Sequence, residues 1–201
     1  VQDQAQFTRS LAHTWTNAGT ALADLNRPEE ALDSHKQAAD LYQSLIDQGQ
    51  VQFRPQLARV RINMAYALIG LHTPEAALFL CKQAIDFLQS LVGQGQAQFR
   101  HRLALAQLNA GTALIDLHRP EDALALYQQA AELYQHLFDE GQDQCCPKWA
   151  MSLTRIAIAQ MDSGEVETAL HTIDRALAAW DSVDQIPAQI LNDYSPLAAD
   201  L

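Results

Sequence analysis

The chain is short of positive charge. Its 201 residues carry 13 Lys and Arg against 24 Asp and Glu, for a net charge of −11 with histidine neutral. Such a balance repels a phosphate backbone and excludes nucleic acid as the main ligand. Cysteine is equally scarce: Cys81, Cys145 and Cys146 are an odd number, two of them adjacent. That is no disulfide framework, and it points to a reducing, cytoplasmic setting. No run of 18 or more apolar residues is present, so no membrane span is expected. The opening "VQDQAQFTRS" lacks the basic and apolar regions of a signal peptide. Catalytic phrases are missing too, with no HExxH, no P-loop and no GxSxG. Gly93 and Gly95 form a local "GQG" without the lysine a phosphate cradle needs, and no Cys or His stands at zinc-finger spacing from Cys145 and Cys146. Composition is otherwise that of a globular protein, 48% apolar and 18% charged. The expectation is no enzyme, no cofactor and no metal site.

What the chain does have is a repeated phrase. "RPEEAL" at 27–32 returns as "TPEAAL" at 73–78, "RPEDAL" at 119–124 and "EVETAL" at 165–170, each 46 residues on. "GQVQFRPQLA", "GQAQFRHRLA" and "GQDQCCPKWA" keep the same register. Four tandem units over 1–188 follow, at 5–50, 51–96, 97–142 and 143–188, in an array where each unit buries its apolar face on its neighbours. Residues 189–201 leave the pattern and read as a tail or capping segment. "VQDQAQF" matches the inter-repeat "DQGQVQF", so the chain opens as if leaving an earlier unit.

Each unit reads as two helices. In the third, Phe99, Leu103, Ala110, Leu114 and Leu117 recur at helical spacing, as do Ala123, Leu126, Ala130, Leu133 and Leu137. First helices are predicted over 6–25, 52–71, 98–117 and 148–163. The turn positions Asn26, His72, His118 and Gly164 hold residues that tolerate a left-handed backbone, and Gly49, Gly95 and Gly141 stand where a helix C-cap belongs. Pro28, Pro74 and Pro120 suit a first helical turn, and the acids after them favour the positive end of the helix dipole. Cys145 takes the phase of Phe99 and reads as a buried thiol.

Small residues form three ladders: Gly19, Ala65, Gly111 and Ala157; Ala31, Ala77, Ala123 and Ala169; Ala38, Ala84, Ala130 and Ala176. With the turns, these resemble the tetratricopeptide repeat across all four units, although that family's usual unit has 34 residues. The resemblance implies an all-α solenoid, a right-handed superhelix of four antiparallel helix-turn-helix repeats. It also implies ligand contacts on the concave face formed by the first helices. Carried over by phase, the contact positions are His13, Thr16, Thr20 and Ala23, then Arg59, Ile62, Tyr66 and Ile69. Units three and four give Leu105, Leu108, Thr112 and Ile115, then Met151, Thr154, Ile158 and Met161. Nine of the last twelve are apolar, and a contiguous apolar stripe marks a contact site. It suits a peptide or amphipathic helix of a protein partner. Burial against the tail or a second copy, giving a homodimer through the apolar groove, remains the alternative, with the array as spacer or oligomerisation arm of a larger multidomain signalling or effector protein. On the groove reading, Leu108→Asp should make affinity fall steeply and change stability by less than about 1 kcal/mol. The family's carboxylate clamp is matched only by an asparagine phase (Asn63 and Asn109) and by Arg155, with Ile62, Met151 and Tyr66 departing from it. The asparagines are therefore expected to bond between helices.

Overall fold

The computed structural model describes residues 2–181, so the expectations for 189–201 lie outside the described residues. The described chain is helical: α1 (Gln2–Asp24), α2 (Pro28–Asp47), α3 (Arg54–Gly70), α4 (Pro74–Gly93), α5 (Arg100–Asp116), α6 (Pro120–Asp139), α7 (Cys146–Asp162) and α8 (Val166–Asp181). No strand occurs among the described residues. Single 3-10 turns at Val51–Phe53, Ala97–Phe99 and Asp143–Cys145 precede α3, α5 and α7. The α-helical parts of those first helices thus begin two residues later than predicted in α3 and α5, and two residues earlier in α7.

Local chemistry accounts for the C-terminal ends of α1 to α7. Asn26, His72 and His118 take φ of 56°, 53° and 57°, and Gly49, Gly95, Gly141 and Gly164 take 79–86°. At each, the next residue's N–H reaches back to a carbonyl five residues earlier, as in Arg27 to Leu22 (2.9 Å), Thr73 to Leu68 (3.0 Å) and Gln50 to Leu45 (3.0 Å). This is the Schellman closure, which satisfies carbonyls that the last helical turn leaves open. Prolines occupy the first turns of α2 and α4, where no side-chain cap bond forms. Arg119 Nε donates to Asp122 Oδ2 at 2.8 Å in the equivalent turn of α6.

The described residues divide into two compact units, one up to residue 123 and one from residue 124 onward. In the first, α2 packs against α1 and α3, and α4 against α3 and α5. The first helices also touch one another, α3 lying beside both α1 and α5. This arrangement makes two layers, first helices in one and second helices in the other. The core between α2 and α3 holds Ala38, Tyr42, Leu45, Phe53, Leu57 and Val60. The Tyr42 and Phe53 rings lie 6.0 Å apart. In the second unit α7 packs against α8, Phe138 of α6 stacks on Trp149 of α7 at 5.3 Å, and the Cys145 thiol donates to the Tyr134 carbonyl at 3.4 Å.

All twelve ladder positions are buried. Gly19 shows why small size is required: a Cβ built there would stand 2.6 Å from two atoms of the His35 ring and 2.8 Å from a third. α1 has an open side. Phe7 is 69% exposed, whereas its counterparts Phe53, Phe99 and Cys145 are buried at 8%, 9% and 1%. Thr14 and Ala21, seven and fourteen residues on, are exposed as well, and their counterparts in α3, α5 and α7 are all buried. By length and composition α4 is the one described helix that would suffice to cross a membrane. It instead buries Ala77, Leu78, Cys81, Ala84 and Leu88 and exposes Lys82 and Asp86 at mid-helix. A charged mid-section is what a packed surface helix presents to water, and it is costly in lipid.

Candidate interaction surface

Thirteen candidate residues, the contact positions of units two to four together with Arg155, separate into three environments. Ile62, Leu108 and Thr154 are buried, at 2%, 3% and 4% exposure. Arg59, Ile69, Leu105, Thr112, Met151, Arg155, Ile158 and Met161 are half-buried. Tyr66 and Ile115 are open, at 59% and 39%. The expectation that Leu108 is a surface residue is therefore corrected. Its helix is enclosed on most sides from Leu103 to Leu114. In the first unit the cause is visible: first helices pack side by side, and this contact consumes the stripe through Ile62.

Asparagines mark the same seam. Asn109 Nδ2 donates to the Ile62 carbonyl and Asn63 Nδ2 to Thr20 Oγ1, both at 3.4 Å, each reaching back one first helix. That is the interhelical role expected of them. Asn17, the earlier counterpart, meets only His13 of its own helix, at 3.3 Å. What stays accessible in the first unit is the flank of the seam: Thr20 and Tyr66, with half-buried Ile69 and Thr112, and then Ile115.

The electrostatics of this layer do not follow the net charge. Residues 4–23, 48–74 and 87–115 contain no Asp or Glu, yet they hold Arg9, Arg54, Arg59, Arg61, Arg100 and Arg102. Burial, and then the charge of Arg59, lowers the Arg102 pKa. Burial alone lowers that of Arg61. His35 on α2 is held down to about 4 by burial and then by Arg59. Its Nδ1 is buried without a hydrogen-bond partner. Sequence reasoning overlooked this basic band because the net charge averages it away; the acid-free stretches were the available signal.

Between α1 and α3 a cavity of about 440 Å³ is lined by Arg9, Ser10, His13, Thr14 and Gln56, together with the Tyr42 and Phe53 rings. In the second unit a smaller one, about 260 Å³, lies among Gln128, Glu132, Leu153, Ile156 and Arg175. All three cysteines are free and buried, and burial pushes the Cys81 thiol up to about 12, which keeps it protonated and inert. Among the described residues no group of three His, Cys, Asp or Glu side chains is placed to hold a metal ion.

Residues 103–142 match the tetratricopeptide repeat family. In fold the chain is similar to BtubC (BKLC) from P. vanneervenii, with a TM-score of 0.70 at 16% identity over 88% of this chain and 65% of that one. The chain thus spans about two thirds of that protein's resolved length. It also aligns with MamA from Desulfovibrio magneticus RS-1, at a TM-score of 0.45 and 16% identity over 87% of this chain and 97% of that one. No curated protein matches it. The chain is a helical-repeat protein carrying the tetratricopeptide motif, a repeat that generally mediates contacts between proteins.

Proposed function

We propose that the chain is a non-enzymatic scaffold that receives a peptide segment of a partner protein on the first-helix layer of residues 1–123. The observation that carries this reading is Tyr66. It is a large aromatic side chain left mostly in water, on the layer whose opposite side is covered by α2 and α4. Ile115, one first helix away, is also open. Aromatic anchors beside half-buried aliphatic residues make efficient contacts with a peptide. The three free, buried thiols support a reducing, cytoplasmic setting for such a scaffold.

The test is selection of binding peptides from a displayed library, followed by hydrogen exchange on the selected complex. Protection over 59–69 and 105–115 supports the reading. Protection confined to α2 and α4, or selection unaffected by Tyr66→Ala, refutes it. A second reading, an oligomerisation arm, draws support from the open side of α1, where Phe7, Thr14 and Ala21 lie exposed at positions buried in later copies. On that reading Phe7→Asp converts a concentration-dependent oligomer into a monomer in sedimentation.

A further inference from the structure

The first and last described helices, α1 and α8, each leave an apolar side without a neighbour. We infer that these sides meet between copies of the chain, α8 of one copy packing on α1 of the next. The inference gives the oligomerisation reading its two contact surfaces, and it rests on the open side of α1 rather than on Tyr66.

First helices that follow a second helix have one set of positions covered. Phe53, Val60 and Ala67 are buried, and so are Phe99, Ala106 and Ala113 one repeat on. Tyr42 and Leu45 of α2 share a core with Phe53 and Val60, so the preceding second helix is what covers them. In α1 the same phases are Phe7, Thr14 and Ala21, and all three are exposed. Phe7, Leu11, Thr14, Ala18, Ala21 and Leu25 recur at alternating intervals of four and three, which places them on one stripe.

Second helices, in turn, show a definite side to the first helix that follows. Ile46 of α2 lines a cavity with Leu57 and Ala58 of α3, and Ala131 of α6 lines one with Leu153 and Ile156 of α7. On α8 that side carries Val166, Leu170 and Leu177, at 51%, 41% and 50% exposure. Leu177 stands in the phase of Ala131, and Leu170 in that of Leu32 and Leu78, all of which are buried. Ten large apolar side chains lie open among the described residues, and six of them (these three with Phe7, Trp15 and Leu25) belong to α1, its C-terminal edge or α8. Exposed apolar surface is therefore concentrated where a repeat array needs a polar outer face. Such concentration marks a contact site.

A second copy is the occupant that both sides specify at once. α1 offers what α3 and α5 offer, and α8 offers what α2 and α4 offer in return. Joining them continues the packing of second helix on first helix that the chain already uses. The charges agree with this pairing. Residues 4–23 have no Asp or Glu and include Arg9, whereas α8 carries Glu167, Asp174 and Asp181 against one arginine, Arg175. α8 on α1 brings opposite charges together, while α8 on α8 would juxtapose like charges, which suppresses the wrong pairing. The contact joins two different surfaces, so it is heterologous, and a copy held through its α1 still has its α8 to offer.

The experiment is sedimentation of the intact chain from low micromolar to near-millimolar concentration, with Phe7→Asp to block the α1 side and Leu177→Asp to block the α8 side. The wild type is expected to associate as concentration rises. Each substitution should weaken association about tenfold or more, because it leaves a charge unpaired in an apolar contact. Mixed in equal amounts, the two variants should form a complex of two chains and no more, since the mixture retains one intact α1 side and one intact α8 side. Both replaced side chains are at least half exposed, so circular dichroism melts should stay close to that of the wild type. Hydrogen exchange on the wild type at high and low concentration reads the same contact without any substitution, and protection over 7–21 and 166–177 should rise together. A wild type that stays monomeric throughout overturns the inference and the oligomerisation reading together, and leaves the peptide-docking surface standing. Association lost with one variant but kept with the other names a like-on-like contact and overturns the head-to-tail pairing alone. Variants that associate as the wild type does, or a mixture that forms no complex, place the contact elsewhere and overturn it as well.

Discussion

Gly19→Ala probes the packing of the first hairpin most sharply. On helix propensity alone the change should help, since alanine is favoured over glycine in a helix interior by about 1 kcal/mol. The structure predicts the opposite sign. The new Cβ would lie 2.6 Å from Nδ1 and Cε1 of His35 and 2.8 Å from Nε2. Real carbon contacts do not approach so closely, so the ring must move as a body. His35 is buried and Ala31 and Ala38 flank it on the same helix, both fully enclosed. Overpacking of this kind typically costs about 1–3 kcal/mol. Set against the propensity gain, the expected net loss is up to about 2 kcal/mol. The second hairpin indicates the remedy, because the phases of Gly19 and His35 are there occupied by Ala65 and Cys81, both buried. Gly19→Ala with His35→Cys should therefore be more stable than the two single losses add up to, with a coupling of about 1 kcal/mol or more in a double-mutant cycle. Urea melts of the four species measure it. If Gly19→Ala alone is stabilising, or the two changes are additive, the ring has room to move and the reasoning fails.

Leu108→Asp should unfold or strongly destabilise the chain, because it removes a buried leucine worth about 2–5 kcal/mol and leaves a charge in its place; Tyr66→Asp on the open flank should melt within a few degrees of wild type by circular dichroism. Phe53→Ala should cost about 3–5 kcal/mol, its ring being packed near Tyr42, whereas Phe7→Ala should stay within about 0.5 kcal/mol, and comparable urea midpoints for the two would contradict the open side of α1. Stability should also fall on acidification. His35 is about 4 in the fold against 6.5 free, so between these values the unfolded chain binds the extra proton, and the stability present above pH 6.5 is lost as pH falls toward 4. The full loss is roughly 3 kcal/mol, and melts of His35→Cys should lack that portion of the pH slope.

The sequence by itself determined the helices, their turns and the small-residue ladders, because those features depend on short-range physics that each residue carries with it. Asn26, His72 and His118 tolerate positive φ, prolines start helices, and only a missing or minimal side chain lets two helices approach as Gly19 does. The same local rules placed Cys145 in the phase of a buried phenylalanine. Tertiary structure alone decided which apolar stripe is open. Ile62 and Leu108 have the hydropathy of a groove floor, yet a seam between neighbouring helices requires the same hydropathy, and only the packing of first helices beside one another distinguishes the two. Phe7 and Phe53 make the point most directly. They are the same residue in the same phase, one in water and one in the core, because burial depends on what lies across the interface. The arginines of the first-helix layer fall between these cases: their segregation is written in the sequence, but that Arg59 bears on both Arg102 and His35 follows from helices α2, α3 and α5 being brought together in space.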